Sequence, residues 1–326
     1  MTVLIDLPGL VRQYGDFSLA ASTDQPGIRL FGDADGVIAY REVRIGAHTL
    51  HVALGDPLAD PERWQELARG FLSMTSNAML VNVGEQFGRL LTREGMYLNP
   101  LGWEAILDLS EGYELTGPKK QNIRNAVSRA TAAGYRVVEV DADDDETWAG
   151  LHRLSHDWLV RKGGGRPENA FITRPLQRRG LHQRVFVLQE GEGTAVQLLT
   201  IDEMWRAGEL VGYHANINRD ADDAPKNADY VIIAHLVDLL RAHDVPVLSL
   251  GLCPSASATT ERKRNLYSDI FLHLARRHGK SVYNLDGLTR HKEEFRSTHR
   301  RPVFVASQEP WPMHDILALL RVSYLV

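Results

Sequence analysis

Apolar and polar residues in the first half of the chain alternate in short runs and then change to helical spacing. Alternation bounded by Gly and Asp predicts half-buried strands, and the first three runs fit an antiparallel meander. Asp60 and Pro61 then provide a helix start, after which Trp64, Leu67 and Phe71 recur at helical spacing. The predicted elements are strands over 27–31, 36–40, 49–55, 78–83 and 105–109, and helices from 64 and over 85–93.

The second half repeats this order of meander, helix, strand and helix. A predicted helix over 116–134 and a predicted strand over 135–140 precede this second series of elements. The acidic run at 141–146 is interpreted as a hinge, with a solvated helix start as the alternative. The remaining predicted elements are helices over 147–161, 174–180, 229–243 and 259–277, and strands over 184–189, 195–201, 209–216 and 247–250.

This repeated order predicts an α/β (α+β) fold of two tandem acetyltransferase-like (GNAT) lobes, with mixed, mainly antiparallel sheets flanked by helices. We place the N-terminal lobe at 1–140, the C-terminal lobe with the main active site at 147–310, and a C-terminal helix at 311–326. The spacing of Ile316 and Leu320 favours docking of that last helix onto the body, and peripheral contact with a membrane is the alternative.

The composition indicates a folded cytoplasmic protein. No window reaches the roughly 18–20 uninterrupted apolar residues that span a bilayer, and the first residues lack the basic start of a secretory signal. The single cysteine, Cys253, excludes an internal disulfide, and we interpret it as a small buried residue. Because the net charge is −5, any contact with nucleic acid must be made by local basic patches.

A series of short motifs runs from about residue 39 to residue 306. They include GWEAILDL at 102–109, GPKKQNIRNAVSRA at 117–130, DWLVRK at 157–162, NINR at 216–219 and GLTRHKEEF at 287–295, with further pieces at 38–41, 53–57 and 248–251. Together and in this order, they resemble the catalytic domain of the bacterial phosphatidylglycerol lysyltransferases, the multiple peptide resistance factor family.

The resemblance implies a donor, aminoacyl-tRNA, and in the lysyltransferases an acceptor that is the hydroxyl of a lipid head group. An aminoacyl ester is already activated, so we expect no cofactor and no metal. The family motif has an aspartate where this chain has Asn216, and a neutral amide cannot make the same interaction with a cationic donor group. The chain is more similar to soluble relatives that aminoacylate small amines or hydroxyls in natural-product pathways. This predicts a small-molecule acceptor and a donor residue other than lysine.

The strand over 209–216 carries the candidate catalytic residues. Its alternation places His214 and Asn216 on one face. His214 is the candidate general base, because its usual pKa lies near working pH, and a hydrogen-bonded core histidine is the alternative. Asn216 is interpreted as a donor-orienting amide or as a structural residue. Arg219 matches an arginine of the family motif and is expected to contact the donor or a phosphate.

Three further residues are candidates for substrate binding. Glu168 follows a Gly-rich loop and is a candidate for the donor's α-ammonium, with a solvated loop acid as the alternative. Asp229 begins a helix, where an N-cap is the simplest interpretation, and its place in the motif also suggests the cleft. The resemblance places Lys292 at a phosphate or at the acceptor.

Two basic patches predict contacts with tRNA, one on the helix over 116–134 and one near residue 290. The residues are Lys119, Lys120, Arg124, Arg290 and Arg296.

Three alternative functions remain. An acyl-CoA-dependent N-acetyltransferase needs a phosphate-binding loop, and the nearest sequences, at 161–166 and 276–281, lack its final small residue. A non-catalytic tRNA-binding protein could use the same fold. A peripheral lipid aminoacyltransferase could use 313–326 to touch the membrane.

Overall fold

The computed structural model describes residues 5–163, 168, 170–191, 193–254, 285–309 and 321. The helices in this part of the chain are α1 (Leu7–Tyr14), α2 (Trp64–Met74), α3 (Glu85–Arg93), α4 (Gln121–Ala132), α5 (Asp145–Gly163), α6 (Ala228–Ala242) and α7 (Leu285–Glu294). The strands are β1 (Arg29–Asp33), β2 (Gly36–Ile45), β3 (His48–Leu54), β4 (Leu58–Ala59), β5 (Ala78–Val83), β6 (Tyr97–Asp108), β7 (Tyr135–Glu139), β8 (Gln183–Glu190), β9 (Ala195–Arg206), β10 (Glu209–Asp220), β11 (Val247–Pro254) and β12 (His299–Ser307).

The strands form one continuous mixed sheet in the order β1-β2-β3-β5-β12-β6-β11-β10-β9-β8-β7, with β4 beside β2. Two pairs are parallel, β3 with β5 and β10 with β11. A helix crosses over between the members of each parallel pair, α2 in the first half and α6 in the second. Two neighbouring parallel strands can be joined only by such a crossover. The order of elements repeats because each half contains one parallel pair of strands.

The last strand of each half is exchanged with the other half. Strand β6 ends the first half but pairs with β11, and β12 ends the second half but pairs with β5. The two exchanged strands also pair with each other. This duplicated, mixed sheet flanked by helices confirms the predicted tandem acetyltransferase-like class.

The predicted lobe segments interleave in this sheet. Strand β7 belongs to the segment 1–140 but pairs with β8 at the far edge of the second half. Strand β12 belongs to the segment 147–310 but lies among first-half strands. The residue boundaries of the lobes therefore stay a prediction.

Helices cover the sheet on both faces of the second half. The mostly apolar helix α6 packs together with α4 on one face, and nine of its side chains are buried. Trp148 and Leu151 of α5 cover the opposite face, where they pack with Ile217 of β10. In the first half, α2 and α3 cover one face, and the buried ring of Phe171 packs on the other.

Most elements agree with the periodicity of the sequence, and the strand over 78–83 and the helix over 85–93 are confirmed. The predicted helix over 174–180 is wrong, because this segment is irregular. Arg174 lies there with its side chain fully buried in an ion pair with Asp202, 3.1 Å away. Helices α1 and α7 and strand β12 were not predicted.

The acidic run at 141–146 leads directly into α5, as its helix-start alternative predicts. The Asp144 carboxylate accepts hydrogen bonds from the backbone N–H and the hydroxyl of Thr147, at 3.0 and 2.6 Å. The predicted helices over 259–277 and 311–326 lie outside the described residues, apart from Arg321. No helix in the described ranges is both long enough and apolar enough to cross a membrane.

Candidate functional site

The parallel strands β10 and β11 separate near the centre of the sheet. Their paired register ends at His214 and Ser249. Beyond this point β10 is bulged after Ala215, and β11 is bulged after Ser249. Parallel strands that diverge leave a crevice at their carboxyl ends, which is where α/β proteins commonly bind ligands. His214 and Ser249 are the last paired residues before the two strands diverge.

A chain of buried polar groups links His214 to the exchanged strand β6. The Ser249 hydroxyl donates to the carboxylate of Glu104 at 2.5 Å and accepts from the backbone N–H of Gly251 at 3.0 Å. His214 Nδ1 lies 3.4 Å from the same hydroxyl oxygen. A hydroxyl has a single proton to donate, so His214 must donate from Nδ1. This leaves the lone pair on Nε2.

Lys292 of α7 borders the histidine across Gly251. A Cβ placed on Gly251 would lie 2.7 Å from His214 Cε1 and 3.4 Å from Lys292 Nζ. The Lys292 ammonium donates to the carbonyl of Leu252 at 2.8 Å. Burial lowers the pKa of Lys292 from 10.5 to about 8. Burial and the neighbouring Lys292 together lower the pKa of His214 to about 3. At neutral pH the centre therefore holds a neutral imidazole beside an ammonium group.

His214 is hydrogen-bonded and only 6% exposed, as the core-histidine alternative predicts. It also lies beside the Lys292 side chain, at the point where β10 and β11 diverge. The general-base role stays a prediction. Cys253, the residue after Leu252, is fully buried and burial raises its pKa, which confirms its interpretation as a small core residue.

Asn216 shares the face of His214 but binds a different group of residues. Its amide nitrogen donates to Asp202 at 2.7 Å, and its amide oxygen accepts from the backbone N–H of Arg174 at 3.3 Å. Burial raises the pKa of Asp202, and the Arg174 guanidinium opposes that rise. Both ends of the Asn216 amide are thus used within the protein, which favours the structural interpretation.

Arg219 and Glu168 form an ion pair with each other. The buried Arg219 guanidinium donates to the Glu168 carboxylate and to the Ser155 hydroxyl. It also lies 5.6 Å from the ring centroid of Trp158. A substrate ammonium or phosphate would have to compete with this pair, so the predicted contacts of both residues with substrate stay predictions.

Asp229 lies in the first turn of α6, and the N-cap is Asn227. The N-cap interpretation of Asp229 is therefore wrong. Its carboxylate instead lies 3.2 Å from His291 Nε2 and accepts from Asn218 at 3.2 Å. Because His291 precedes Lys292, this contact connects the start of α6 to the helix that carries the lysine.

The predicted tRNA contacts differ in how available they are. Lys120 donates to the carbonyl of Glu114 and lies 3.6 Å from the ring centroid of Tyr113. Arg124 donates to two loop carbonyls. These two side chains hold their own loop together. The other three predicted contacts are exposed: Lys119, Arg290 and Arg296.

Glu104 and Ser249 were not among the predicted site residues. Each could have been recognised in the sequence as a polar residue within a mostly apolar strand: Glu104 lies in GWEAILDL and Ser249 in VLSLG. Both are buried, at 3% and 0% exposure. A buried carboxylate requires a partner, so the composition of strand β6 already indicated an internal contact.

Fold and site define a tandem acetyltransferase-like protein with a buried polar centre between diverging strands. Residues 9–307 match the family described as "Phosphatidylglycerol lysyltransferase, C-terminal". The chain belongs to this family.

Two protein sequences illustrate the relationship. The chain is 24% identical over 291 residues to an uncharacterized protein of Corynebacterium glutamicum, covering 81% of this chain and 34% of that protein. It is 25% identical over 272 residues to the lysylphosphatidylglycerol biosynthesis bifunctional protein LysX of a Mycobacterium species, covering 75% of this chain and 23% of LysX. The chain thus spans about a third or less of the length of these relatives.

Solved structures share the fold over almost the whole chain. L-PGS from Bacillus licheniformis superimposes with a TM-score of 0.77 at 18% identity, covering 97% of this chain and 96% of that one. FemX superimposes with a TM-score of 0.57 at 10% identity, covering 96% and 98%. At these identities the likeness concerns the fold alone.

Proposed function

We propose that this protein transfers an aminoacyl group from tRNA to a hydroxyl or amine. The observation that carries the proposal is the buried chain from Glu104 through Ser249 to His214, which lies beside Lys292 where β10 and β11 diverge. Membership in the phosphatidylglycerol lysyltransferase family supports aminoacyl transfer as the reaction class. Because tRNA is the donor, the reaction takes place in the cytoplasm.

In this reaction, the acceptor oxygen or nitrogen attacks the ester carbonyl carbon. A new ester or amide bond forms, and the bond between that carbon and the terminal ribose oxygen of tRNA breaks. The proton that leaves the acceptor ends on the ribose oxygen. The ester is already activated, so the chemistry needs no cofactor and no metal. The protein must hold the two reactants together and stabilise the oxyanion.

His214 moves the proton in this proposal. Its Nδ1 proton is held by Ser249, so Nε2 is the atom that can accept a proton from the acceptor. Because the pKa of His214 is about 3, its protonated form does not persist at neutral pH. His214 therefore passes the proton on to the ribose oxygen within the same step. Lys292, as an ammonium, stabilises the negative charge that develops on the carbonyl oxygen.

The acceptor is proposed to be a small molecule with a free hydroxyl or amine, such as a natural-product intermediate. The phosphatidylglycerol head group is the second candidate, because both the family and the LysX relatives are named for that lipid. Either acceptor presents a nucleophile that needs one proton removed, so the same centre serves both.

The test is transfer of label from a pool of radiolabelled aminoacyl-tRNAs, supplied either with a small-molecule extract or with phosphatidylglycerol vesicles. We expect label to leave tRNA in at least one arm, and the arm identifies the acceptor class. His214→Gln should lose ~10²-fold in rate, the usual size of a proton-transfer contribution. Ser249→Ala should lose roughly 10-fold, because it removes the group that orients the imidazole.

His48→Gln is the matched control, because His48 is exposed on β3 and should retain full activity. Failure of every label to leave tRNA in both arms would rule out the proposed donor. Full activity of His214→Gln would remove this histidine from the mechanism and leave the donor intact.

A further inference from the structure

A polar cavity of about 440 Å³ lies between α4 and the start of α6. This volume is within the ~300–1,000 Å³ typical of small-ligand pockets. Its lining consists of Asn122, Asn125, Arg129, Lys226 and Asn227. The three residues from α4 are spaced three and four apart and so share one face of the helix. All five side chains are polar, and the two that carry charge are cations.

The lining side chains are largely available for a ligand. Asn227 is the N-cap of α6, yet its side chain makes no capping hydrogen bond. Arg129 and Lys226 are both exposed, and no ion pair of either is found in the described part of the chain. Asn122 donates to Glu294 at 3.2 Å, which places one carboxylate at the margin of the cavity.

The cavity adjoins the elements that carry the reactive centre. Asn227 is two residues from Asp229, whose carboxylate meets His291. Asn122 contacts Glu294 on α7, and Lys292 lies on the same helix. A ligand in the cavity would therefore sit beside the two helix segments that position Lys292.

We propose that this cavity binds the acceptor end of tRNA through its sugar–phosphate backbone, an inference that rests on the proposed function. The two cations match backbone phosphates, whose contacts dominate affinity for nucleic acid. The carboxamides both donate and accept hydrogen bonds, which suits ribose hydroxyls next to those phosphates. Arg129 and Lys226 then replace Lys120 and Arg124 as the main cationic contacts of this face.

The lining favours a polynucleotide over a lipid. A lipid head group is followed by acyl chains, which need an adjacent apolar surface. No apolar residue lines this cavity among the described residues. The large hydrophobic side chains that are exposed in the described ranges are Met74, Tyr97 and Val160, on α2, β6 and α5. None of these elements borders the cavity.

The test compares tRNA binding by the full chain and by the double variant Arg129→Gln/Lys226→Gln over a series of salt concentrations. The probe is labelled deacylated tRNA, so the readout does not depend on transfer. We expect the double variant to bind about 10-fold more weakly, and the slope of log affinity against log salt to fall by about two, one for each lost phosphate contact.

The matched control is Arg93→Gln/Arg153→Gln, which removes the same charge from exposed positions on α3 and α5. If the two double variants show the same affinity and slope while wild type binds tRNA, the cavity proposal is overturned and the proposed function stands. If wild type does not bind tRNA, the donor in the proposed function fails as well. Loss of binding to phosphatidylglycerol–phosphatidylcholine vesicles without loss of tRNA binding would also overturn it, in favour of a lipid surface.

Discussion

Among the single residues of the candidate centre, Lys292 is the group whose pKa lies near working pH. Burial lowers its pKa to about 8, so the side chain is an ammonium below that pH and a neutral amine above it. His214 remains neutral over the same range, because its pKa is about 3. Any change in activity between pH 7 and pH 9 that arises at this centre is therefore assigned to Lys292.

The transfer rate should fall as pH rises through about 8, because the amine form of Lys292 cannot stabilise an oxyanion. Lys292→Arg keeps the positive charge and should lose this alkaline decline, whereas Lys292→Met should be slow at every pH. Single-turnover transfer at a series of pH values, corrected for spontaneous hydrolysis of the donor, measures both effects. A rate that increases through pH 8 would instead identify Lys292 as the base.

At the scale of elements, the bulge in β11 brings the site together. Gly251 has a φ of +79° in this bulge, a conformation that favours glycine. The bulge places its Cα between His214 and Lys292, with too little room for a side chain. The same residue also donates its N–H to Ser249. The backbone of Gly251 thus lies next to His214 and Lys292 and is hydrogen-bonded to Ser249.

Gly251→Ala should abolish most transfer, because the new methyl group would lie 2.7 Å from His214 Cε1. The matched control is Gly208→Ala, at a φ of +80° with no atom within 4 Å of the added Cβ. Both variants should lose about 1–2 kcal/mol of stability from the left-handed conformation. Thermal unfolding and transfer assays measured side by side test this. Equal activity of the two variants would contradict the packing role of Gly251.

At the scale of the whole molecule, the exchanged strands join the two halves into one sheet. A second connection is made by Gln25, which is buried near the start of the chain. Its amide donates to the carbonyl of Phe171 at 3.0 Å and accepts from the N–H of Phe171 at 2.8 Å. These bonds join residues 146 positions apart. We therefore expect the two halves to unfold together.

Gln25→Ala should destabilise the chain by about 1–3 kcal/mol, because it leaves two buried backbone groups of Phe171 without partners. Urea unfolding followed by circular dichroism and by tryptophan fluorescence should give coincident single transitions. Gln65→Ala is the control, since Gln65 is exposed on α2 and should change stability by less than about 0.5 kcal/mol. Two separated transitions would contradict the cooperative coupling of the halves.

Much of the local structure was already determined by the sequence. The spacing of apolar residues predicted β5 and α3 with their observed bounds, and the alternation of β10 placed His214 and Asn216 on one face. The motifs that resemble the lysyltransferases led to the family that the comparison confirms. These features depend on residues close together in the chain, so a local pattern is enough to reveal them.

Only the tertiary structure decided which distant residues meet. The pairing of the exchanged strand β6 with β11 brings Glu104 to Ser249, which lies 145 positions further along the chain. The burial of Arg174 against Asp202 overrides the helical pattern predicted for 174–180. Periodicity reports which face of an element is buried, but not which partner covers it. Strand pairing and buried charge are decided by long-range packing. This is why the sequence alone predicted His214 and Lys292 but not Ser249 and Glu104, which continue the hydrogen-bonded chain from His214.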